Sequence, residues 1–141
     1  MTELRLSRTL DAAAGEVWRA LTSPAALREW FWPEQTFGTT AETDLREGGG
    51  YRIAGPRAGI AVSGRYIRLD PPRKLQFTWC WNCEEHESLV TIELTDVGSG
   101  TGIVVTHQDL ADESECDANT QGWSDCLGRL PAWLASARPE E

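Results

Sequence analysis

Residues 119–136 read NTQGWSDCLGRLPAWLAS, and this stretch predicts an amphipathic helix with one broad apolar face. Apolar residues recur there at steps of four, three and four, which places them on the same side of a helix. These residues are Trp123, Leu127, Leu130 and Leu134. Cys126 and Trp133 widen the face. An apolar face this broad predicts that the helix packs against a large apolar surface, most simply a sheet.

Pro131 lies inside the same helix. A proline lacks the backbone donor and crowds the carbonyl of the residue four positions earlier, here Leu127. The sequence therefore predicts a kink or a break at Pro131, with regular helix from about Thr120 to Leu130.

The chain before this helix predicts the sheet. Leu75, Phe77, Trp79 and Trp81 occupy every second position, which is typical of a strand with one strongly aromatic face. The same alternation near the end of the sheet region puts His107 on the inward face. Strands are predicted at residues 4–10, 37–45, 51–54, 60–69, 88–94 and 103–107.

The order of elements predicts the fold class. Two short helices, Ala12–Thr22 and Ala25–Trp30, follow the first strand, and Pro24 stands at the first position of the second helix. Short turns join the later strands, with a bulge near Tyr66, and an acidic connection covers Asp109 to Ala118. Because short turns join antiparallel neighbours, we expect an α+β fold in which a curved antiparallel sheet of about six or seven strands wraps around the long C-terminal helix.

Length and charge narrow the function classes. The chain has 141 residues, 40% of them hydrophobic, a size that suits one domain over 1–141 with a frayed tail at 137–141. The formal net charge is -9, whereas a nucleic-acid or anionic-membrane partner requires a basic surface. No apolar run approaches the roughly 20 residues of a membrane span. We expect a cytoplasmic protein with neither kind of partner, as a monomer or a homodimer.

Five stretches in this order resemble a known family. They are SRTLDAAAGEVWRALTSPAALREWF, DLREGGGYRI, GRYIRLDPPRKLQFTWCW, VTIELTDVGSGTGIVVTHQDL and GWSDCLGRL. Together they resemble START-like, helix-grip (SRPBCC) proteins. More narrowly, they resemble the C-terminal domain of the activator of heat-shock protein 90 ATPase and its small stand-alone bacterial (AHSA-type) relatives. The resemblance implies an apolar cavity between sheet and helix, with the two short helices closing one end. It implies no shared catalytic motif.

Aromatic residues from several predicted elements converge on the inner face of this sheet. A pocket for a flat or elongated apolar ligand is one interpretation, and simple filling of the core is the other. The predicted ligand-binding residues are Trp30, Trp32, Tyr51, Phe77, Trp79, Trp81, His107, Trp123 and Leu127.

His107 is the one inward residue with acid–base chemistry near neutral pH. The alternative is a buried neutral histidine that pairs with a hydroxyl or carbonyl. An enzyme would also need a charged group facing it, for which Arg8, Arg52 and Glu42 are the candidates. Their spacing fixes none of them, so no catalytic residue is assigned.

Cys80, Cys83 and His86 form a C-x2-C-x2-H pattern that suggests zinc, with Cys116 as a distant fourth ligand, or a redox pair. Cys80 is expected to point outward from its strand, and no helix follows to lower a thiol pKa. A surface hairpin with ordinary thiols is favoured, and no metal or cofactor is predicted.

Three functions remain open. The preferred one is a non-enzymatic protein that binds a hydrophobic small molecule, such as a lipid, polyketide-like or aromatic compound. The second, which the resemblance implies, is a stress-response module that acts with a chaperone. The third is a cyclase or hydrolase that uses His107.

Overall fold

The computed structural model describes residues 2–31, 38–82 and 87–136. Its strands are β1 (Thr2–Leu10), β2 (Thr40–Thr43), β3 (Gly50–Gly55), β4 (Ile60–Asp70), β5 (Lys74–Trp81), β6 (Ser88–Val97) and β7 (Gly100–Leu110). Its helices are α1 (Ala14–Thr22), α2 (Pro24–Trp30) and α3 (Glu113–Ser136). The predicted tail, residues 137–141, lies outside the described residues.

The seven strands form one antiparallel sheet in the order β1-β7-β6-β5-β4-β3-β2. From β2 to β7 each strand pairs with the next one along the chain, because short connections join them. The first strand pairs instead with the last, with Leu4 opposite His107 and Leu10 opposite Thr101. With α3 packed on this sheet and two short helices after β1, the predicted α+β helix-grip architecture is confirmed.

Two hydrogen bonds fix the short helices. The Ser23 hydroxyl accepts the Ala26 N–H at 3.4 Å and caps α2, whose first residue is Pro24 as predicted. The Trp30 indole N–H donates to the Ala20 carbonyl at 2.9 Å and so ties the end of α2 to α1.

Helix α3 begins at Glu113, so the prediction of an acidic connection up to Ala118 was wrong. Asp112 Oδ1 accepts the Glu115 N–H at 2.9 Å, and Glu115 Oε1 accepts the Ala111 N–H at 2.6 Å. These two carboxylates satisfy backbone donors at the start of the helix, which lets it begin there. The acidic side chains belong to its first turns.

The helix also continues through Pro131 to Ser136, so the predicted break does not occur. Pro131 is exposed, whereas Leu130 and Leu134 on either side of it are buried in the core. The burial of these two leucines offsets the lost backbone hydrogen bond and holds the last turns on the sheet.

The inward faces of the strands follow the predicted alternation. Leu75, Phe77 and Trp79 are buried on β5, and His107 on β7 has no exposed surface. A register shift between Tyr66 and Arg68 confirms the predicted bulge.

Strand β4 approaches β5 very closely at Gly64. A Cβ at this position would lie 2.1 Å from the Thr78 carbonyl oxygen. That oxygen accepts the Tyr51 hydroxyl at 2.5 Å, while Thr78 Oγ1 accepts the Arg65 N–H at 2.9 Å. Only glycine fits between these groups, so Gly64 allows Thr78 to link β3, β4 and β5.

Candidate functional site

Three aromatic side chains separate two cavities at the junction of α2, β5 and α3. They are Phe31, Trp79 and Trp123, and each lines both cavities. The ring centroids of Phe31 and Trp79 lie 6.4 Å apart, and those of Trp79 and Trp123 lie 5.2 Å apart. We refer to these three residues as the aromatic partition.

The inner cavity lies between the sheet and the helices on one side of the partition. Its volume is about 30 Å³, which is room for roughly one water molecule. Trp30, Tyr51 and Phe77 line it together with the partition. The space where the sequence predicted a ligand is therefore nearly filled by the side chains that were expected to surround one.

The second cavity, here named the helix groove, lies on the other side of the partition and has a volume of about 590 Å³. The partition and Trp81 line it. Smaller residues of α3, including Ala118 and Gly122, complete the lining. Nothing lies within 4 Å of a Cβ added at Gly122, so small residues on this face of the helix keep the groove open.

The structure divides the predicted ligand-binding residues among these spaces. Trp81 is 37% exposed and lines only the helix groove, because it lies at the end of β5. Leu127 and His107 are buried in the interior and are absent from the described linings of both cavities. Trp32 lies outside the described residues.

His107 uses both ring nitrogens in hydrogen bonds. The Trp123 indole N–H donates to Nδ1 at 3.1 Å, and Ser88 Oγ lies 2.7 Å from Nε2. Since Nδ1 must accept from the indole, the proton of the neutral ring sits on Nε2 and is donated to Ser88. The Ser88 hydroxyl in turn donates to the Trp79 carbonyl at 3.3 Å.

This arrangement makes His107 a structural group. Burial lowers the pKa of His107 from 6.5 to about 4, so the ring is neutral at physiological pH. A base that activates Ser88 would have to accept the hydroxyl proton at Nε2, but that nitrogen already carries a proton. The geometry therefore supports the interpretation of a buried, satisfied histidine that orients Trp123.

The charged groups considered as partners of His107 lie elsewhere. Arg8 is exposed at the sheet edge, where it donates to the Ser7 carbonyl at 2.8 Å and to Ser124 Oγ at 3.4 Å. Arg52 and Glu42 are exposed and stand opposite each other on β3 and β2. None of the three candidates faces the imidazole.

The cysteine pattern is only partly described. Cys80 is half-buried on β5, whereas Cys83 and His86 lie outside the described residues. Within residues 2–31, 38–82 and 87–136, no three acidic, histidine or cysteine side chains form a group that could hold a metal ion. The buried Cys126 thiol donates to the Phe31 carbonyl at 3.5 Å, and burial raises its pKa to about 11, so it is not a reactive thiolate.

Arg129 holds the partition in place, a role that the sequence did not predict. Its Nε donates to the Trp30 carbonyl at 3.1 Å, and its Nη2 donates to the Phe31 carbonyl at 2.6 Å. These carbonyls end α2, where a cation is favourable. Arg129 thus fastens α2 to α3 and fixes the position of the Phe31 ring. No local sequence pattern reveals this contact, since the partners are about 100 residues apart.

A seven-stranded antiparallel sheet against a long C-terminal helix, with two short helices after the first strand, defines a START-like, helix-grip domain. The chain belongs to the family described as Activator of Hsp90 ATPase homolog 1-like protein, whose model matches residues 11–135. In the described segments, no helix has the length and apolar character that crossing a bilayer requires.

Solved structures share this fold over nearly the whole chain. Protein CV1439 from Chromobacterium violaceum is 28% identical, with a TM-score of 0.77 over 94% of this chain and 96% of its own. CalU16 from Micromonospora echinospora is 28% identical, with a TM-score of 0.76 over 96% of this chain and 77% of its own.

A third solved structure is longer than this chain. DynU16, described as a protein in the dynemicin biosynthetic locus, is 24% identical with a TM-score of 0.83, a likeness that concerns the fold alone. The match covers 97% of this chain, which spans about half (48%) of DynU16. No curated protein matches the chain.

Proposed function

We propose that this protein binds an apolar, aromatic small molecule in the helix groove and does not transform it. The observation that carries the proposal is a groove of about 590 Å³ walled by Phe31, Trp79, Trp81 and Trp123. This volume falls in the range of ligand pockets, and aromatic walls suit a flat apolar ligand.

The groove is a better site than the inner cavity. The inner cavity holds about 30 Å³, which excludes anything much larger than water unless side chains move. The groove also places Trp81, a large apolar side chain that is 37% exposed, where a ligand would cover it. Each Å² of apolar surface removed from water contributes about 25 cal/mol, so covering the exposed part of the Trp81 ring favours binding.

The chemistry of His107 supports binding over catalysis. Both of its nitrogens are engaged, and its lowered pKa keeps it neutral.

Filling the groove tests the proposal. Gly122 lines the groove and Gly128 does not, and a Cβ added at either would meet nothing within 4 Å. Gly122→Phe should abolish binding of neutral aromatic compounds, measured by calorimetry and by tryptophan fluorescence. Gly128→Phe, which introduces the same side chain six residues further along the same helix, should leave binding unchanged.

Two results would count against the groove. Equal binding by both phenylalanine variants would place the ligand elsewhere. The absence of binding by the unmodified protein across neutral aromatic, polyketide-like and lipid compounds would remove the function itself.

The family description supports a second function, a cytoplasmic interaction module that raises the ATPase rate of heat-shock protein 90. The ATPase rate of the chaperone with and without this chain tests it, and an unchanged rate at saturating chain would exclude it.

A further inference from the structure

We infer that the occupant of the helix groove is a cation, namely a flat apolar molecule that carries an amine protonated at neutral pH. The inference rests on the proposed function of the groove and adds the charge of the ligand. It follows from the aromatic wall together with the charges at the rim.

The charged residues that line the groove, among those the structure describes, are Asp112 and Glu115. Both are acidic, and no lysine, arginine or histidine joins them in that described lining. An anionic ligand would therefore enter a groove of its own sign, inside a protein whose formal net charge is already -9. A cationic ligand would be attracted.

One oxygen atom of each of these two carboxylates remains available to a ligand. Asp112 Oδ1 caps the helix and Glu115 Oε1 accepts the Ala111 N–H. Asp112 Oδ2 and Glu115 Oε2 receive no hydrogen bond from the described part of the chain. The positive end of α3 is worth about half an elementary charge, which is less than the two carboxylates carry, so the rim stays negative.

The aromatic wall reinforces this preference. The indole rings of Trp79, Trp81 and Trp123 line the groove, and indole is the ring type that attracts cations most strongly. Arg129 is a basic group beside this wall, and its donors are engaged by the Trp30 and Phe31 carbonyls and by Cys126 Sγ. Indole rings and carboxylate oxygens without a hydrogen bond from the described residues thus line one groove, a combination that suits an ammonium group.

Three probes with the same ring system and different charge test the inference. They are naphthylmethylammonium, naphthylmethanol and naphthoate, measured by calorimetry at pH 7. We expect the ammonium probe to bind about fivefold more tightly than the alcohol, and the carboxylate to bind most weakly. Raising the salt concentration should weaken binding of the ammonium probe and leave the alcohol unchanged.

Conservative variants locate the effect. Glu115→Gln and Asp112→Asn remove charge but keep an acceptor for the Ala111 and Glu115 N–H groups, so the helix start is preserved. Each should reduce the preference for ammonium over alcohol by about threefold. Glu113→Gln removes the same charge from the same helical turn, outside the described lining of the groove, and should not change the preference.

The outcomes separate this inference from the proposed function. If the alcohol binds as tightly as the ammonium probe and Gly122→Phe abolishes both, the groove is the site and the charge preference is wrong. If the preference falls equally in Glu113→Gln and Glu115→Gln, it reflects net charge and not this groove. If no probe binds, the inference and the proposed function fail together for ligands of this size.

Discussion

His107 joins three elements through its ring, since Trp123 belongs to α3, Ser88 to β6 and the histidine itself to β7. A second proton would have to bind Nδ1, which already accepts the Trp123 N–H. Protonation would therefore leave two N–H donors, one on Nδ1 and one on the indole, facing each other. Burial adds the cost of removing the charge from water. Both effects favour the neutral ring, in agreement with its lowered pKa.

The stability of the fold should consequently depend on pH. The folded pKa of His107 is about 4 and the ordinary value is 6.5, so the unfolded chain binds a proton first as the pH falls. The contribution of neutral His107 to the free energy of unfolding is fully present above about pH 6.5 and is lost progressively as the pH falls to about 4. The shift corresponds to about 3 kcal/mol of unfolding free energy. Urea denaturation at several pH values across this range measures it.

A pair of variants isolates the histidine. His107→Gln can keep a hydrogen bond to Trp123 but cannot titrate, so it should flatten the pH dependence between these values. His86→Gln removes the only other histidine of the chain and should retain the dependence. A pH profile that is the same in His107→Gln and the unmodified protein would assign the effect to carboxylates.

For individual residues, the sequence predicted which way a side chain points better than it predicted the hydrogen-bond partners of that side chain. The period of two in β7 put His107 on the inward face because that pattern is local. Its partners, Ser88 and Trp123, are 19 and 16 residues away and could not be named from the pattern. The sequence also placed Trp81 on the same face of β5 as Trp79, but it did not indicate that Trp81 would be 37% exposed.

At the scale of elements, the contact between β4 and β5 depends on the absence of a side chain at Gly64. The Thr78 carbonyl occupies the position that a Cβ of Gly64 would need. Thr78 also accepts hydrogen bonds from the Tyr51 hydroxyl on β3 and the Arg65 N–H on β4. A displacement of Thr78 would therefore disturb three strands.

Gly64→Ala should destabilise the protein by about 3 kcal/mol, because the methyl group would push the two strands apart. Gly50→Ala is the matched control, since its Cβ would lie 3.6 Å from the nearest atom, an ordinary contact. That change should be neutral or slightly stabilising, because alanine loses less conformational entropy on folding. Equal urea midpoints for the two variants would contradict the close approach.

Helix α3 shows where local signals were available and where they were not. Asp112 and Glu115 stand three residues apart, the spacing of a capping box, and this signal could have placed the helix start correctly. The continuation through Pro131 could not be foreseen, because it depends on how deeply Leu130 and Leu134 are buried.

At the scale of the whole molecule, the aromatic partition determines how much internal space a ligand can reach. Phe31 separates the helix groove from the inner cavity, and Arg129 fixes its backbone. Phe31→Ala should join the two spaces and allow the binding of longer neutral ligands, measured with a fluorescent neutral dye. The variant should also lose about 3 kcal/mol of stability.

Phe77→Ala provides the control, since Phe77 lines only the inner cavity. It should cost a similar free energy of unfolding without admitting a longer ligand. If both variants bind the dye equally, the partition does not separate the two spaces.

The fold as a whole was predictable because its information is distributed along the chain. Local patterns each predicted one element: the alternation predicted β5 and β7, the proline after Ser23 predicted the start of α2, and the apolar face predicted α3. The resemblance to the family supplied the arrangement of these elements. The candidate site was predicted only in part. Trp79, Trp81 and Trp123 of the groove lining were among the predicted residues, but Phe31 was not. The helix groove arises from the tertiary placement of Phe31 beside α3, together with small residues such as Gly122. Neither has a local signature.

The pairing of β1 with β7 has a consequence for how this chain reaches its fold. Thr2 stands opposite Leu110, so the pairing joins residues more than 100 positions apart. The entropy cost of closing a loop of that length comes before the stabilising contacts between β1 and β7 can form, which makes folding slow. During synthesis on the ribosome, β1 emerges long before its partner and has no strand to join. Its backbone donors and acceptors stay open to other chains until β7 appears, the condition under which a nascent protein aggregates or engages a chaperone as a client.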